Sequence, residues 1–533
     1  MVAAVSAIRR DAVAAAARRQ HQHMLLSTAA AAPAIALSKA PTTQANAAST
    51  TADADTTAAA VAAGAASTED LVLTSSVGRA RVITLNRPKA LNALTLDMIR
   101  SMYQVAVATH VPENTLYDML VLRSSSPKAF CAGGDVRRIV ELAKAGDVPS
   151  ALAFFREEYQ LDYLLSTHRL PVITFMDGIT MGGGVGISVH GMFRVATENT
   201  VFSMPETPDV GGTHFLPLLD GSLGRYLALT GHRLKGADVV YAGIATHFVP
   251  SNRLDALLTR LGELRQTDPQ SVDACIGEFV APLPASTLFS TRNDVDEVFS
   301  NQSVAEIKAN LEEMSKNGNA WATTTLATLA KMSPTALMLT NAQITFGHNI
   351  DTLRDALRLE YGLVQKFLTL PNNDFAEGVR AVLVDRNQPN FQKVEITSEK
   401  ENELCDQYLG FTDFDEETGA IDLHNDQLWK QHNVEQLEFP IHGAERDDDF
   451  VLTVDYVLPF LFSRVAYKPL SRAAIFNQLA PALARPGNSE KIGYLIDAMC
   501  NVEVDPATGQ NLHSLKNQYR LAFEGEEEDA GAQ

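Results

Sequence analysis

The sequence predicts an α/β fold, and three observations point to it. Short apolar segments with β-branched residues alternate with longer stretches of helical periodicity. Proline or an Asp-Gly pair ends several of the apolar segments, as expected where a strand gives way to a turn. Two glycine-rich segments, residues 131–135 and 181–186, each stand just ahead of a helical pattern. Alternation of strands with helices is typical of the α/β class.

The elements follow one another from residue 71. We predict strands at residues 81–86, 118–123, 171–175, 194–196 and 200–202. The first strand ends at Pro88, and a helix follows near residues 95–109. Asp135 is a good N-cap for the helix after the first glycine-rich segment. Residues 265–395 are mostly helical, which predicts a helical part after the strand-rich part.

Composition and charge exclude several classes of protein. The chain has 533 residues, enough for two or three domains, and a formal net charge of −20. This charge disfavours a protein whose main activity is binding nucleic acid through its phosphates. No stretch reaches the roughly 18 uncharged apolar residues of a membrane-spanning helix. The four cysteines are far apart and form no metal-binding pattern, which favours a reducing compartment.

The first residues have the composition of a targeting segment. Four arginines punctuate an alanine-rich stretch that has one acidic residue, Asp11, and this is typical of a mitochondrial presequence at residues 1–28. A secretory signal is the alternative, because residues 24–37 are mostly apolar, although Pro33 weakens it. Residues 29–68 are rich in Ala, Thr and Ser, so we predict a disordered linker there.

The two glycine-rich segments, CAGGD at residues 131–135 and MGGGVG at 181–186, suggest acyl-transfer chemistry. Bare glycines let a thioester carbonyl approach the backbone, and two N–H groups can stabilise its developing oxyanion. Two tight turns in an α/β protein are the alternative for either segment alone. The dinucleotide, P-loop and nucleophile-elbow motifs are absent, since Gly191 stands one place too late for GxSxG.

Several longer strings resemble a known family. The sequence is similar to the crotonase (enoyl-CoA hydratase/isomerase) superfamily over roughly residues 70–395, and within it to its 3-hydroxyisobutyryl-CoA hydrolases. The strings are VITLNRPKALNALTLDM (82–98), KAFCAGGDVR (128–137), FFREEY (154–159), GITMGGGVGISVHG (178–191), LTGHRLKGADVVYAGIATHF (229–248), KMSPT (331–335) and EGVRAVLVD (377–385). The resemblance implies a crotonase-like spiral of ββα units with a helical C-terminal part.

The resemblance also implies which residues form the site. It assigns the oxyanion hole to the backbone N–H groups of Ala132 and Gly183. It assigns Glu206 as the catalytic glutamate, which activates water or attacks the carbonyl itself. It assigns Asp209 and Glu158 to bind or orient the acyl hydroxyl and the nucleophile. Taken alone, Glu158 is equally typical of a solvated helix face, and Glu206 and Asp209 of a turn or cap.

One position disfavours hydration of an alkene. Crotonase-type hydratases carry a glutamate two places after the last glycine of the GGG run, and this sequence has Gly186 there. The glutamate pair of a hydratase is therefore incomplete, while thioester hydrolysis remains.

The sequence departs from the hydrolases in two places. A stretch of about five residues that separates the two acidic motifs is missing, so Glu206 and Asp209 are only three residues apart, with Pro208 between them. A 1 Å misplacement can cost on the order of a hundredfold in rate. Residues 396–533 are an additional, acidic extension with apolar runs such as 454–462, and part of it should fold or dock.

We therefore expect hydrolysis of a short-chain hydroxyacyl-CoA thioester, 3-hydroxyisobutyryl-CoA in valine breakdown, in the mitochondrial matrix. Beyond the acyl-CoA substrate, we expect no cofactor, no metal, no membrane and no direct nucleic acid contact, and a homo-oligomer is compatible with the sequence. The alternative is a catalytically impaired crotonase-like structural protein of the mitochondrial small ribosomal subunit, which the short loop and the long extension favour. The expected organisation is 1–28 presequence, 29–68 linker, 69–265 crotonase core, 266–395 helical part and 396–533 extension.

Deletion of residues 1–28 tests the predicted presequence. Because the arginine-rich stretch would direct import, a fluorescent fusion that lacks it should stay in the cytosol, whereas the full-length fusion should colocalise with mitochondria. Fluorescence microscopy measures the outcome. Unchanged mitochondrial localisation after the deletion would refute the prediction.

Overall fold

The computed structural model describes residues 71–111, 114–204, 209–301, 303–350, 352–370 and 374–410, and the short segments 413–414, 421–422, 430–431, 434–435 and 437–439. The predicted presequence, the predicted linker, Glu206 and most of the extension lie outside these residues, as does the spacing of Glu206 from Asp209. Among the described residues, no helix is long and apolar enough to cross a membrane.

A six-stranded sheet forms the centre of the fold. In spatial order its strands are β1 (Val72–Val77), β2 (Ala80–Leu85), β3 (Met119–Ser124), β5 (Val172–Met176), β7 (Phe193–Ala196) and β10 (His247–Phe248). The first pair is antiparallel and every later pair is parallel. Helices connect the parallel strands, so the predicted α/β class is confirmed.

A smaller four-stranded sheet carries the glycine-rich segments. Its strands are β4 (Ala129–Cys131), β6 (Ile179–Met181), β8 (Val201–Ser203) and β9 (Leu234–Lys235). Strands β4, β6 and β8 run parallel. Because β4 and β6 are neighbours, the glycines that follow each strand emerge at the same end of the sheet.

The helices surround both sheets. They are α1 (Leu96–His110), α2 (Val136–Lys144), α3 (Val148–Ser166), α4 (Gly183–Val189), α5 (Gly212–Phe215), α6 (Leu223–Thr230), α7 (Ala237–Tyr241), α8 (Leu254–Gly262), α9 (Pro269–Gly277), α10 (Arg292–Phe299), α11 (Val304–Lys316), α12 (Ala320–Leu329), α13 (Pro334–Gly347), α14 (Leu353–Thr369), α15 (Asp374–Val379) and α16 (Ser398–Leu409). Helices dominate from α8 onward, as the sequence predicts.

Alternating side chains of the large sheet bury two separate cores. Val82 and its same-face neighbours pack against helices α8 and α9, whereas Ile83 and Leu85 pack against the main body of helices. Opposite orientation of successive strand residues explains this division. The sheet is thus covered on both faces, as expected for a mostly parallel sheet.

Asp135 stands at the predicted N-cap position of α2, but it does not cap the helix. Its side chain accepts no hydrogen bond from the first turn, and instead pairs with Arg87 at 2.9 Å. The predicted capping bond is therefore wrong. The ion pair ties the end of the first glycine-rich segment to the loop after β2.

Asn92 fixes the same loop from inside. This fully buried side chain donates to the carbonyl oxygens of Ala129 and Phe130 at 3.2 and 2.9 Å, and accepts from the Arg87 N–H at 2.8 Å. A buried amide with these partners holds strand β4 in register with the loop, because an unpaired backbone group there would be costly.

Parts of the extension pack against the helical body. Helix α16 adds Glu401, which accepts a hydrogen bond from Asn341 of α13 at 2.6 Å. Leu437 is fully buried, and the ring of Phe439 lies 4.4 Å from that of Tyr163 on α3. The extension therefore contacts the helix that also carries Glu158.

Candidate active site

The first glycine-rich segment is bound along its length to the loop after β2. Leu94 donates to the Gly133 carbonyl and accepts from Asp135 N–H, both at 2.8 Å. Ala132 N–H donates to the Leu91 carbonyl at 3.0 Å. This bond contradicts the prediction that Ala132 offers its N–H to an oxyanion. Gly134 N–H has no acceptor in the part of the chain that the structure describes.

The second glycine-rich segment adjoins the first. A Cβ added to Gly133 would lie 3.8 Å from Gly182 Cα and 3.9 Å from the Gly183 nitrogen. Gly182 has a φ of 47°, which favours glycine, and Gly183 begins helix α4. The first N–H groups of a helix have no acceptor within it. Gly183 N–H therefore points out of α4 beside the first segment, where the sequence predicts an oxyanion donor.

Helix α4 lies so close to strand β4 that position 184 also requires glycine. A Cβ added to Gly184 would overlap the Cys131 carbonyl and lie 2.8 Å from Cys131 Cβ. The Cys131 thiol is fully buried, and burial raises its pKa to about 12. Cys131 is consequently a packing residue and not a nucleophile at neutral pH.

Glu158 lies inside the site. It is 2% exposed on α3, and a Cβ added to Gly183 would overlap its carboxyl group. The alternative of a solvated helix face fits the preceding residue, Glu157, which forms a bidentate pair with Arg100 at 2.6 Å. Neighbouring glutamates of α3 thus have opposite environments, because adjacent helix positions point about 100° apart.

Asp162 was not predicted from the sequence. It lies one turn after Glu158 on α3, is 0% exposed, and approaches Gly186 so closely that an added Cβ would be 2.5 Å from Asp162 Oδ2. The space beside Gly186 therefore holds an acid from another helix. Its sequence signal is an aspartate four residues after Glu158 within an apolar run.

Asp209 is partly buried in a turn that other elements hold in place. Val210 has a φ of 51°, an unusual value for a β-branched residue, and its carbonyl contacts His190 Nε2 at 2.7 Å. Glu360 accepts the N–H groups of Gly211 and Thr213 at 2.7 and 2.8 Å. The strained turn persists because these partners over-determine it.

Glu360 itself was also missed. It lies on α14, 149 residues after Gly211, and is 1% exposed. Its position in an amphipathic helix with several other charged residues gives no signal that distinguishes it. Only the tertiary contact reveals that it supports the turn carrying Asp209.

Four carboxyl groups thus share a buried region, and burial is the main cause of their altered acidity. Burial raises the pKa of Glu158 well above its usual value, and the Asp209 charge raises it further. Burial and the other three acids do the same for Asp162. Burial raises the pKa of Asp209 to about 7 and that of Glu360 to about 7. Carboxyl groups tuned toward neutral pH suit general acid–base work.

The raised pKa values predict a stability that falls as pH rises. Between the usual pKa of about 4 and the folded value, the folded protein binds more protons than the unfolded chain. For Asp209 and Glu360 this window ends at about 7. We expect Tm to fall from about pH 5 to about pH 8 at constant ionic strength, and Asp209→Asn to flatten the slope. Differential scanning fluorimetry measures this, and a Tm that rises over the range would contradict it.

Comparisons with known proteins agree with this geometry. The family profile described as Enoyl-CoA hydratase/isomerase matches residues 80–409, more than half of the chain. A protein from Danio rerio named 3-hydroxyisobutyryl-CoA hydrolase, mitochondrial, is 47% identical over 327 residues, which cover 60% of this chain and 83% of that protein.

Solved structures show the same fold. A carnitinyl-CoA dehydratase from Mycobacterium thermoresistibile superposes with a TM-score of 0.57 at 34% identity. An enoyl-CoA hydratase from Rhodobacter sphaeroides 2.4.1 superposes with a TM-score of 0.56 at 32% identity. Each comparison covers 63% of this chain and 96% of the solved one. The chain belongs to the enoyl-CoA hydratase/isomerase, or crotonase, family.

Proposed function

We propose that the chain hydrolyses 3-hydroxyisobutyryl-CoA to 3-hydroxyisobutyrate and coenzyme A. The observation that carries this proposal is the group of buried carboxyls beside Gly183, at the place where two glycine-rich segments meet. The hydrolase name of the relative at 47% identity supports it. No separate cofactor is needed, because coenzyme A is part of the substrate.

The donor pair for the thioester oxygen is Gly183 N–H with Gly134 N–H. Gly134 takes the place predicted for Ala132, whose N–H donates to Leu91. Two backbone donors fixed beside the reacting carbonyl stabilise the charge that develops as the tetrahedral intermediate forms. Bare glycine at both positions lets the thioester approach, since neither adds a side chain.

The acidic residues have separate roles in the reaction. Glu206 either removes a proton from the attacking water or attacks the carbonyl, and Asp209 orients that nucleophile. Glu158, whose carboxyl group lies against Gly183, binds the hydroxyl of the acyl group. Gly186 carries no glutamate for alkene hydration, and the Asp162 carboxyl already fills the adjoining space. Hydrolysis is thus favoured over hydration.

The proposed place of this reaction is valine breakdown in the mitochondrial matrix. The composition of residues 1–28 supports import, and the relative from Danio rerio is named as mitochondrial.

A steady-state assay with Glu206 and Asp209 variants tests the assignment. Wild type should release coenzyme A from 3-hydroxyisobutyryl-CoA and leave crotonyl-CoA unhydrated. Glu206→Gln should lower kcat by at least about 10²-fold, because an amide can neither take the proton nor attack. Asp209→Asn should have a smaller effect. Thiol release at constant enzyme concentration is the measurement, and a fully active Glu206→Gln variant would exclude the assigned role.

A matched pair of Gly183 variants tests the oxyanion donor. Gly183→Ala keeps the N–H and adds the Cβ that overlaps Glu158, whereas Gly183→Pro adds that Cβ within a larger ring and removes the N–H. We expect kcat of the proline variant to be at least about tenfold below that of the alanine variant, since one such donor is worth about 10²–10³-fold. Equal kcat values in two folded variants, as judged by circular dichroism, would remove Gly183 from the donor pair.

The ribosomal alternative gives the opposite pattern in the same experiments. A structural protein would show no turnover in wild type, would sediment with the mitochondrial small subunit, and would keep this association after Glu206→Gln. Sedimentation of tagged protein from a mitochondrial lysate, beside the steady-state assay, separates the two functions.

A further inference from the structure

Asp162 and Glu158 line the same side of helix α4. They are four residues apart on α3 and therefore share a face. A Cβ added to Gly183 would overlap the Glu158 carboxyl, and one added to Gly186 would lie 2.5 Å from Asp162 Oδ2. Gly183 and Gly186 are themselves one turn apart on α4. Because Gly183 and Gly186 of α4 have no side chain, there is space beside them for the two acidic side chains of α3.

Neither oxygen of Asp162 has a hydrogen-bond partner among the residues that the structure describes, and the same holds for Glu158 Oε1. Both side chains are almost completely buried. A buried polar group without a partner destabilises the folded protein, so an apolar residue of similar shape would stabilise the fold better. Stabilisation of the fold therefore does not explain the acid at position 162.

The surroundings of Asp162 keep its proton in place. Burial, followed by the charges of Glu158, Asp209 and Glu360, raises the pKa of Asp162. Burial and the Asp209 charge likewise raise the pKa of Glu158. Two carboxyl groups buried one helical turn apart do not readily ionise together, so the pair retains one proton between them. Among the residues that the structure describes, the titratable groups that face Asp162 are Glu158 and Tyr159 on α3, Cys131 on β4, Asp209 before α5 and Glu360 on α14.

We propose that Asp162 is a positioning residue that determines specificity: it holds Glu158 through the one proton that the two buried carboxyls share, and so orients Glu158 to accept the hydroxyl of a hydroxyacyl thioester. This inference rests on the proposed function. The substrate class is an acyl-CoA with a hydroxyl on its acyl chain. An acyl group that lacks the hydroxyl leaves the buried Glu158 carboxylate without a partner. A site built to bind a substrate hydroxyl therefore discriminates strongly against the analogue that lacks it.

Three variants of the full-length protein test the proposal. Asp162→Leu removes the donor with little change in volume, Asp162→Asn keeps a neutral donor as the matched control, and Asp162→Ala serves if the leucine variant does not fold. The measured quantity is the ratio of kcat/KM for 3-hydroxyisobutyryl-CoA to that for isobutyryl-CoA, which lacks only the hydroxyl.

We expect Asp162→Leu to lower this ratio at least about tenfold while Tm stays equal or rises, and Asp162→Asn to keep the ratio within about threefold of wild type. Since Asp162 acts through Glu158, Asp162→Leu should add little to Glu158→Gln in a double-mutant cycle. A purely structural residue would instead change Tm and leave the ratio unaltered.

The outcomes separate the inference from the function on which it rests. Wild type inactive on both thioesters overturns the proposed function and the inference together. Wild type that hydrolyses both equally, or an unchanged ratio in Asp162→Leu or Asp162→Ala, overturns the inference alone. An asparagine variant as unselective as the leucine variant also overturns it, because the protonated donor would then not be the feature that matters.

Discussion

The absence of side chains at three positions of helix α4 is the constraint on which the rest of the site depends. Gly183, Gly184 and Gly186 let α4 approach strand β4 on one side and the carboxyls of α3 on the other. Any Cβ at these positions would overlap backbone, a carboxyl group or both. This close approach places the second glycine-rich segment beside the first, with the buried acids of α3 next to it. Glycine costs helix stability, about 0.5–1 kcal/mol relative to alanine at each interior position, so the surrounding packing must hold α4 in place.

Burial of four carboxyls follows from that arrangement and opposes the stability of the fold. Each acid loses hydration and retains its proton more strongly, as the raised pKa values of Glu158, Asp162, Asp209 and Glu360 show. Large apolar cores on both faces of the central sheet offset this cost, and Glu360 recovers part of it by accepting two backbone N–H groups. Active sites commonly keep such unfavourable arrangements because perturbed acidity serves the chemistry. The same burial that weakens folding toward alkaline pH therefore supplies groups that exchange protons near neutrality.

The sequence predicted the α/β class and strands β2, β3, β5, β7 and β8, because each is an apolar or β-branched segment in the alternation of strands with helices. Strand β1 has six residues but is polar at its centre and mostly exposed, and it was not predicted. Strands β4 and β6 have three residues each beside the glycine-rich segments, and they were not predicted either. At the site, the glycine-rich segments were predicted from their own sequence pattern, and Glu158 from the resemblance to the family. The Ala132 donor was wrong because hydrogen bonding within a loop depends on the tertiary partner, here Leu91. Glu360 lies 149 residues from the turn it holds, and no local pattern encodes such a contact.

The C-terminal extension supports two helices of the site, and no local sequence pattern predicts this contact. One face of α3 presents Glu158 and Asp162 to the site, while the helix also presents Arg156 and Gln160 to the extension. Arg156 pairs with Glu435 at 2.7 Å and lies 5.7 Å over the ring of Tyr361, and Gln160 donates to the Glu438 carbonyl at 2.8 Å. Gln365 of α14 exchanges two hydrogen bonds with the Glu435 backbone, at 2.7 and 2.8 Å. Residues 434–435 and 437–439 thus join α3, which carries two of the buried acids, to α14, which carries Glu360. Because a buried carboxyl pair is sensitive to small shifts of its helix, this bridge on the outer side of both helices restrains the geometry that the glycines of α4 make possible.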